Sequence, residues 1–85
     1  MHEQQHKRTL ATVFANPVSG TINWSDIENL LIAAGAEIIE GSGSRVRFHK
    51  DGEIEVFHRP HPEKEAKRYQ VKAVREFLIR IGVTP

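Results

Sequence analysis

The sequence predicts a two-layer α+β fold in which a three-stranded antiparallel sheet packs on helices, with element order α-α-β-β-β-α. Three observations predict it: apolar stripes at helical spacing lie on both sides of the centre, short strand-like segments lie between them, and Gly-containing turns join those segments. A small sheet with one polar face must bury its other face, and the helices are the elements available to cover it.

The composition is that of one small domain spanning residues 1–85. Hydrophobic residues make up 39% and charged residues 27% of the chain, which excludes a disordered or fibrous protein. The absence of cysteine excludes disulfides and thiolate chemistry. No apolar run reaches the roughly 18 residues of a membrane span, and the polar start is unlike a signal peptide, so we expect a cytoplasmic protein without a membrane partner.

The first helix is expected within residues 7–16, where Leu10, Val13 and Phe14 form a short apolar stripe. Residues 7–23 then form an N-terminal helical extension to a core that covers about residues 25–82.

Two further helices carry start or stop signals. Ser25 and Glu28 have the spacing of a capping box, which predicts the start of the second helix, and Gly35 predicts its end. The third helix is expected over residues 65–81, with Gly82 as its stop.

The three strands are expected at residues 36–40, 45–49 and 53–57. We expect residues 50–52 to form a three-residue hairpin loop ending in glycine. This loop puts four apolar side chains on one face of the hairpin: Val46, Phe48, Ile54 and Val56. A two-residue loop at residues 51–52 would instead turn the last two of these to the polar face, and we prefer the three-residue loop for that reason.

Charge is concentrated at the C-terminal end. Residues 59–85 hold seven basic side chains against three acidic ones. Such a segment can bind phosphates, although from charge alone an ordinary solvated helix face is the favoured interpretation.

Four segments carry a resemblance to a known family: Leu30-Leu31 with Gly35, then residues 43–48 (Gly-Ser-Arg-Val-Arg-Phe), then residues 57–61 (Phe-His-Arg-Pro-His), then the 71–82 helix. In this order they resemble the HicA toxins of bacterial type II toxin–antitoxin modules. The resemblance implies a double-stranded-RNA-binding-like fold and an mRNA interferase, which is a metal-independent endoribonuclease that needs no cofactor. It also implies a HicB-like antitoxin that covers the active surface in a hetero-oligomer.

The chain departs from the family motif at one position. The family's usual Gly-Ser-His-x-x-Phe run has its catalytic histidine where this chain has Arg45. A guanidinium stays charged and cannot carry a proton, so Arg45 is expected to bind phosphate or to stabilise charge in the transition state.

The remaining candidates follow from that departure. His58, at the end of the third strand, is the best substitute proton carrier, although the preferred hairpin register points its side chain toward the core. A structural, hydrogen-bonding role for this histidine stays open as the alternative. His61 matches a histidine that the family often has after the last strand, and it is the third catalytic candidate beside His58 and Arg45. His49 is an ordinary surface histidine at the hairpin tip. The expected RNA-binding residues are Ser44, Arg47, Arg59 and Lys67. No metal site is expected, because the histidines lack a third ligand nearby.

Three functions stay open at the level of the sequence. The chain is a ribonuclease toxin, an RNA-binding module without nuclease activity, or a module whose polar sheet face mainly engages an antitoxin. The two arginines also have alternatives to RNA contact. Arg47 can pair with Glu55 across the strands, and Arg45 can lie over Phe57.

Overall fold

The structure is a computed structural model that describes residues 2–85, with side chains from residue 4 onward. The element order is the predicted one, and the α+β prediction is confirmed. The elements are α1 (His2–Val13), α2 (Trp24–Ala33), β1 (Glu37–Glu40), β2 (Arg45–Lys50), β3 (Glu53–His58) and α3 (Arg68–Arg80). No helix among the described residues is long and apolar enough to cross a membrane.

The three strands form an antiparallel sheet in the order β1-β2-β3, but the predicted hairpin register is wrong. Lys50 pairs with Glu53, which leaves Asp51 and Gly52 as a two-residue loop. Both loop residues have positive φ, at 51° and 82°. These are the angles of a type I′ turn, whose twist suits a two-residue hairpin and which Asp-Gly favours.

The one-residue shift exchanges the faces of β3. Ile54 and Val56 are 51% and 48% exposed on the face of the sheet opposite the helices, which we call the open face. Phe57 is 5% exposed and lies in the core. On the helix side, Glu53 and Glu55 both accept hydrogen bonds from Arg80 near the end of α3, at 2.8 and 2.9 Å. The register therefore satisfies two carboxylates beside a helix at the expense of two exposed aliphatic side chains.

The core lies between the sheet and the helices. Trp24 of α2 stacks at a tilt on Phe57, with ring centroids 5.2 Å apart, and Phe57 meets Phe48 edge-on at 5.8 Å. The other core side chains come mainly from one stripe on each helix and from β2: Val13, Ile27, Leu30, Leu31, Val46, Val71, Val74, Phe77 and Leu78.

The start of α2 differs from the prediction. The helix begins at Trp24 with Asn23 as its N-cap, so Ser25 lies inside the first turn and the predicted capping box is wrong. The Glu28 carboxylate accepts a hydrogen bond from the Trp24 indole N–H instead. The end of α2 is as predicted, because Gly35 adopts φ 98° and its amide donates to the Ile32 carbonyl oxygen.

Helix α1 begins earlier than predicted, and α3 holds its C-terminal end. The Arg75 guanidinium donates to the carbonyl oxygens of Val13 and Ala15, at 3.0 and 2.8 Å. These carbonyls lie where a helix runs out of internal donors, so Arg75 supplies the missing partners. Further along, the backbone of Ile22 accepts from the Ala66 amide at 2.8 Å, which joins the N-terminal segment to the loop before α3.

Candidate functional site

Arg45 and His58 lie directly opposite each other on β2 and β3. The Arg59 amide donates to the Ser44 carbonyl oxygen at 2.8 Å, so the Arg45–His58 position is a non-hydrogen-bonded pair. Side chains approach each other most closely at such pairs. Both side chains are exposed, so the Arg45 guanidinium and the His58 imidazole are cross-strand neighbours on the open face.

The corrected register creates this pairing. In the predicted register Arg45 opposed Phe57, and His58 pointed toward the core. Because successive side chains of a strand alternate between faces, a shift by one residue turns His58 outward. It also removes both predicted alternatives for the arginines, since Phe57 lies on the other face and Glu55 is paired with Arg80.

Buried Gln70 fixes the backbone of His58. Its amide nitrogen donates to the His58 carbonyl oxygen at 2.8 Å, and its amide oxygen accepts from the Lys67 amide at 3.0 Å. Gln70 is only 3% exposed, so neither backbone group has water as a ready substitute. The end of β3 and the start of α3 are thereby joined through one side chain.

Arg59, the residue after His58, bridges three elements. Its Nε donates to Glu28 of α2 at 2.6 Å, and its Nη1 donates to Glu40 of β1 at 2.7 Å. The hydrogen bond from Arg59 holds the pKa of Glu40 below its usual range, and the two carboxylates raise the pKa of Arg59. The guanidinium is thus engaged within the chain, and its predicted contact with RNA remains a prediction.

Arg47 and Ser44 stand near the Arg45–His58 pair. Arg47 lies two residues along β2 on the same face, between Ile39 of β1 and Val56 of β3, and it is exposed. Ser44 is exposed in the turn that leads into β2. No ion pair or side-chain hydrogen bond within the described residues engages Arg45, Arg47 or Ser44.

A depression of about 330 Å³ opens beside these residues. Its walls are formed by β1 and the β1–β2 turn on one side and by β2 and β3 on the other. Its lining residues are Ile39, Glu40, Gly41, Ser42, Arg45, Val46, Arg47 and Val56.

The remaining histidine and lysine candidates lie outside the strand positions next to Arg45 and His58. His61 is exposed in the segment between β3 and α3, three residues beyond His58. Lys67 directly precedes α3, where its ammonium lies 3.7 Å from the Glu63 carboxylate on the surface. His49 is on the open face but at the hairpin end, with its Nδ1 3.9 Å from the Glu37 carboxylate.

Much of the basic C-terminal segment is used for internal contacts. Besides Arg59 and Arg75, Arg68 donates to the Val18 carbonyl oxygen at 3.2 Å, and Arg80 pairs with two glutamates of β3. Counting charges in the sequence therefore overestimates the positive charge that is available to RNA, because these guanidinium groups already bind oxygen atoms of the chain itself.

Sequence reasoning missed two residues that position the site. Glu28 fitted a capping box, although its carboxylate holds Arg59 and Trp24. Gln70 could have been noticed as a polar residue on the apolar stripe of α3, next to Val71 and four residues before Val74. Its partner is a backbone carbonyl that comes close only in the folded chain.

The open face offers a proton carrier beside a permanent cation. An imidazole can accept or donate a proton near neutral pH, and a guanidinium can stabilise charge on phosphate oxygens. Across the residues that the structure describes, no group of three or more His, Asp or Glu side chains is arranged to hold a metal ion.

The sequence profile of a family described as HicA toxin of bacterial toxin-antitoxin matches residues 24–83, which is more than half of the chain. The chain belongs to the HicA toxin family. It is therefore a toxin-type member of a toxin–antitoxin module, and such a module includes an antitoxin partner. The HicA match begins at the first residue of α2, and α1 lies outside it. No curated protein and no solved structure matches the chain.

Proposed function

We propose that this HicA family member is a metal-independent endoribonuclease that cleaves mRNA and thereby stops growth. The observation that carries the proposal is the position of Arg45 opposite His58 on the open sheet face. In the family motif the histidine stands on β2. Here the cation stands on β2 and the proton carrier stands across from it on β3, so one face still holds both groups.

The reaction uses the RNA's own 2′-hydroxyl as nucleophile. His58 accepts the 2′-hydroxyl proton while the 2′-oxygen forms a bond to the adjacent phosphorus, and the bond from phosphorus to the 5′-oxygen breaks. Arg45 stabilises the negative charge that develops on the phosphorus oxygens. The departing 5′-oxygen takes a proton from the His58 imidazolium or from a protonated His61 imidazole. The products are a 2′,3′-cyclic phosphate and a 5′-hydroxyl.

Nearby cations and one hydroxyl bind the rest of the strand. Arg47 and Ser44 adjoin the pair and bind neighbouring phosphates, whereas Lys67 and Arg59 act on more distant parts of the RNA. A HicB-like antitoxin forms a hetero-oligomer with the chain and covers the same face. The proposed place of action is the cytoplasm, where mRNA is found.

The test is cleavage of a 5′-labelled mRNA fragment by the purified chain in the presence of EDTA, together with growth after induction from a tightly repressed promoter. We compare the wild type with His58→Ala and Arg45→Ala. His49→Ala is the matched control, because it removes an exposed histidine from the same face at the hairpin end.

Loss of cleavage and of growth arrest in the first two variants, with both kept in His49→Ala, is the expected result. Equal activity of His58→Ala and the wild type would remove His58 as the base. If folded wild-type protein leaves RNA intact yet binds it with strong salt dependence, the chain is an RNA-binding module without nuclease activity. If it neither cuts nor binds RNA, its open face serves the antitoxin alone.

A further inference from the structure

The open face is organised in rows that run across the strands. Arg45 faces His58 across β2 and β3, and the next row on this face is formed by Ile39, Arg47 and Val56. The two rows are two residues apart along the strands, which is about 7 Å. A group bound on the second row is therefore close enough to belong to the same nucleotide, or to its neighbour, as a phosphate bound at the first row.

The second row combines apolar side chains with an unpaired cation. Ile39 and Val56 are 37% and 48% exposed, and Arg47 lies between them without an ion pair among the described residues. A planar group with apolar faces and polar edges suits such a surface, because its faces can pack on aliphatic or guanidinium groups.

The depression beside this row has the size of a small-ligand site. Its volume of about 330 Å³ is at the lower end of the range for small-molecule sites. Gly41 lets the β1–β2 turn pack closely on β2, because a Cβ at this position would lie 3.1 Å from the Arg45 carbonyl oxygen. Glu40, the one acidic side chain among the lining residues that the structure describes, is paired with Arg59, so the depression does not repel an anion strongly.

We propose that this depression seats one unstacked nucleobase of single-stranded RNA, with Ile39 and Val56 against the base and Arg47 beside it. The inference rests on the proposed function, because it takes the neighbouring phosphate to lie at Arg45 and His58. A duplex keeps its bases stacked inside the helix and presents mainly its backbone and groove edges, which leaves the aliphatic row without a partner. The site therefore selects single-stranded RNA.

The chain offers a closely matched control. Ile54 is on the same strand and the same face as Val56, and the two are about equally exposed, at 51% and 48%. Only Val56 lines the depression. Truncating each residue to alanine therefore removes similar apolar surface, once inside the proposed subsite and once outside it.

The experiment measures fluorescence anisotropy of a labelled 12-nucleotide RNA of mixed sequence, as a single strand and annealed to its complement. All sugars are 2′-O-methylated, which removes the nucleophile and keeps the RNA intact. We expect the single strand to bind more tightly than the duplex. Val56→Ala and Ile39→Ala weaken single-strand binding by about threefold to tenfold, whereas Ile54→Ala leaves it within about twofold. Arg47→Ala lowers the salt dependence, and the alanine variants of the aliphatic residues do not.

The outcomes distinguish failure of the base subsite from failure of the proposed function. Equal binding of duplex and single strand, or equal loss in Val56→Ala and Ile54→Ala, overturns the subsite even when unmethylated RNA is cleaved. Binding with the expected variant pattern but no cleavage of unmethylated RNA upholds the subsite and refutes the nuclease. Absence of binding to either RNA, together with no cleavage of unmethylated RNA, refutes both.

Discussion

The side-chain amide of Gln70 donates a hydrogen bond to the main-chain carbonyl oxygen of His58 at 2.8 Å. The contact joins the first turn of α3 to the last residue of β3, and Gln70 is almost entirely buried. The main-chain position of His58 thus depends on a helix that begins ten residues later in the chain. The proposed proton carrier is therefore positioned by α3 as well as by its own strand.

Replacing Gln70 by methionine should destabilise the protein by about 1–3 kcal/mol, because it leaves the His58 carbonyl and the Lys67 amide without partners. Urea unfolding measures this change. The variant should also shift the NMR signals of the His58 imidazole. Gln4→Met, at an exposed position of α1, is the control and should do neither. An unchanged unfolding midpoint in Gln70→Met would contradict the assigned contact.

Replacing Arg59 by methionine should lower the free energy of unfolding by about 1–3 kcal/mol at neutral pH, because it strips Glu28 of its main cationic partner. The loss should also depend on pH. Arg59 depresses the pKa of Glu40 in the folded state, so this contribution is present above the ordinary value of 4.5 and is lost as pH falls through the depressed pKa.

The measurement is urea unfolding of wild type and Arg59→Met between pH 7 and pH 3. The difference between the two should shrink below pH 4.5, the ordinary glutamate pKa. Lys72→Met, at an exposed position of α3, should follow the wild-type curve. Parallel curves for wild type and Arg59→Met at every pH would argue against the Glu40 pair.

Replacing Gly52 by alanine should destabilise the hairpin by about 1–2 kcal/mol through backbone strain alone. Gly52 has φ 82°, and an added Cβ would meet no atom within 4 Å, so steric clash with neighbours does not contribute. Gly52→Asn should cost less, since asparagine tolerates positive φ. Thermal unfolding of the three proteins tests the order. Equal stability of the alanine variant and the wild type would speak against the type I′ turn.

Replacing Arg75 by methionine should loosen α1 more than the rest of the chain. Its guanidinium satisfies the carbonyl oxygens of Val13 and Ala15 at the end of that helix, and their loss should cost about 1–3 kcal/mol. Amide hydrogen exchange should become faster in α1 before it does in the sheet. Lys72→Met is again the control, and uniform acceleration of exchange across the chain would contradict a local effect.

Elements whose signals are local were predictable from the sequence. The stops at Gly35 and Gly82 depend on a backbone conformation that glycine adopts easily, and both residues have positive φ in the structure. The apolar stripes of α2 and α3 depend only on residue spacing. Family membership was recognisable for the same reason, since it depends on short motifs in a fixed order.

The hairpin register was not predictable from the same kind of evidence. The segment of residues 50–52 suits a three-residue loop, and Asp51-Gly52 suits a two-residue one, so local turn chemistry does not choose. The wrong choice came from counting apolar side chains on one face of an isolated hairpin. In the folded chain, Phe57 fills the core and Arg80 of α3 satisfies Glu53 and Glu55 on the helix side.

The sequence by itself determined the helices, the strands, their order and the candidate residues Arg45 and His58, because composition, spacing and turn residues act over a few neighbours in the chain. Only the tertiary structure decided that these two residues face each other, that Gln70 holds one of them, and that Arg59 is bound by Glu28 and Glu40. Those relationships join residues that are 12 to 31 positions apart, and such contacts form only when packing of the helices on the sheet selects one register.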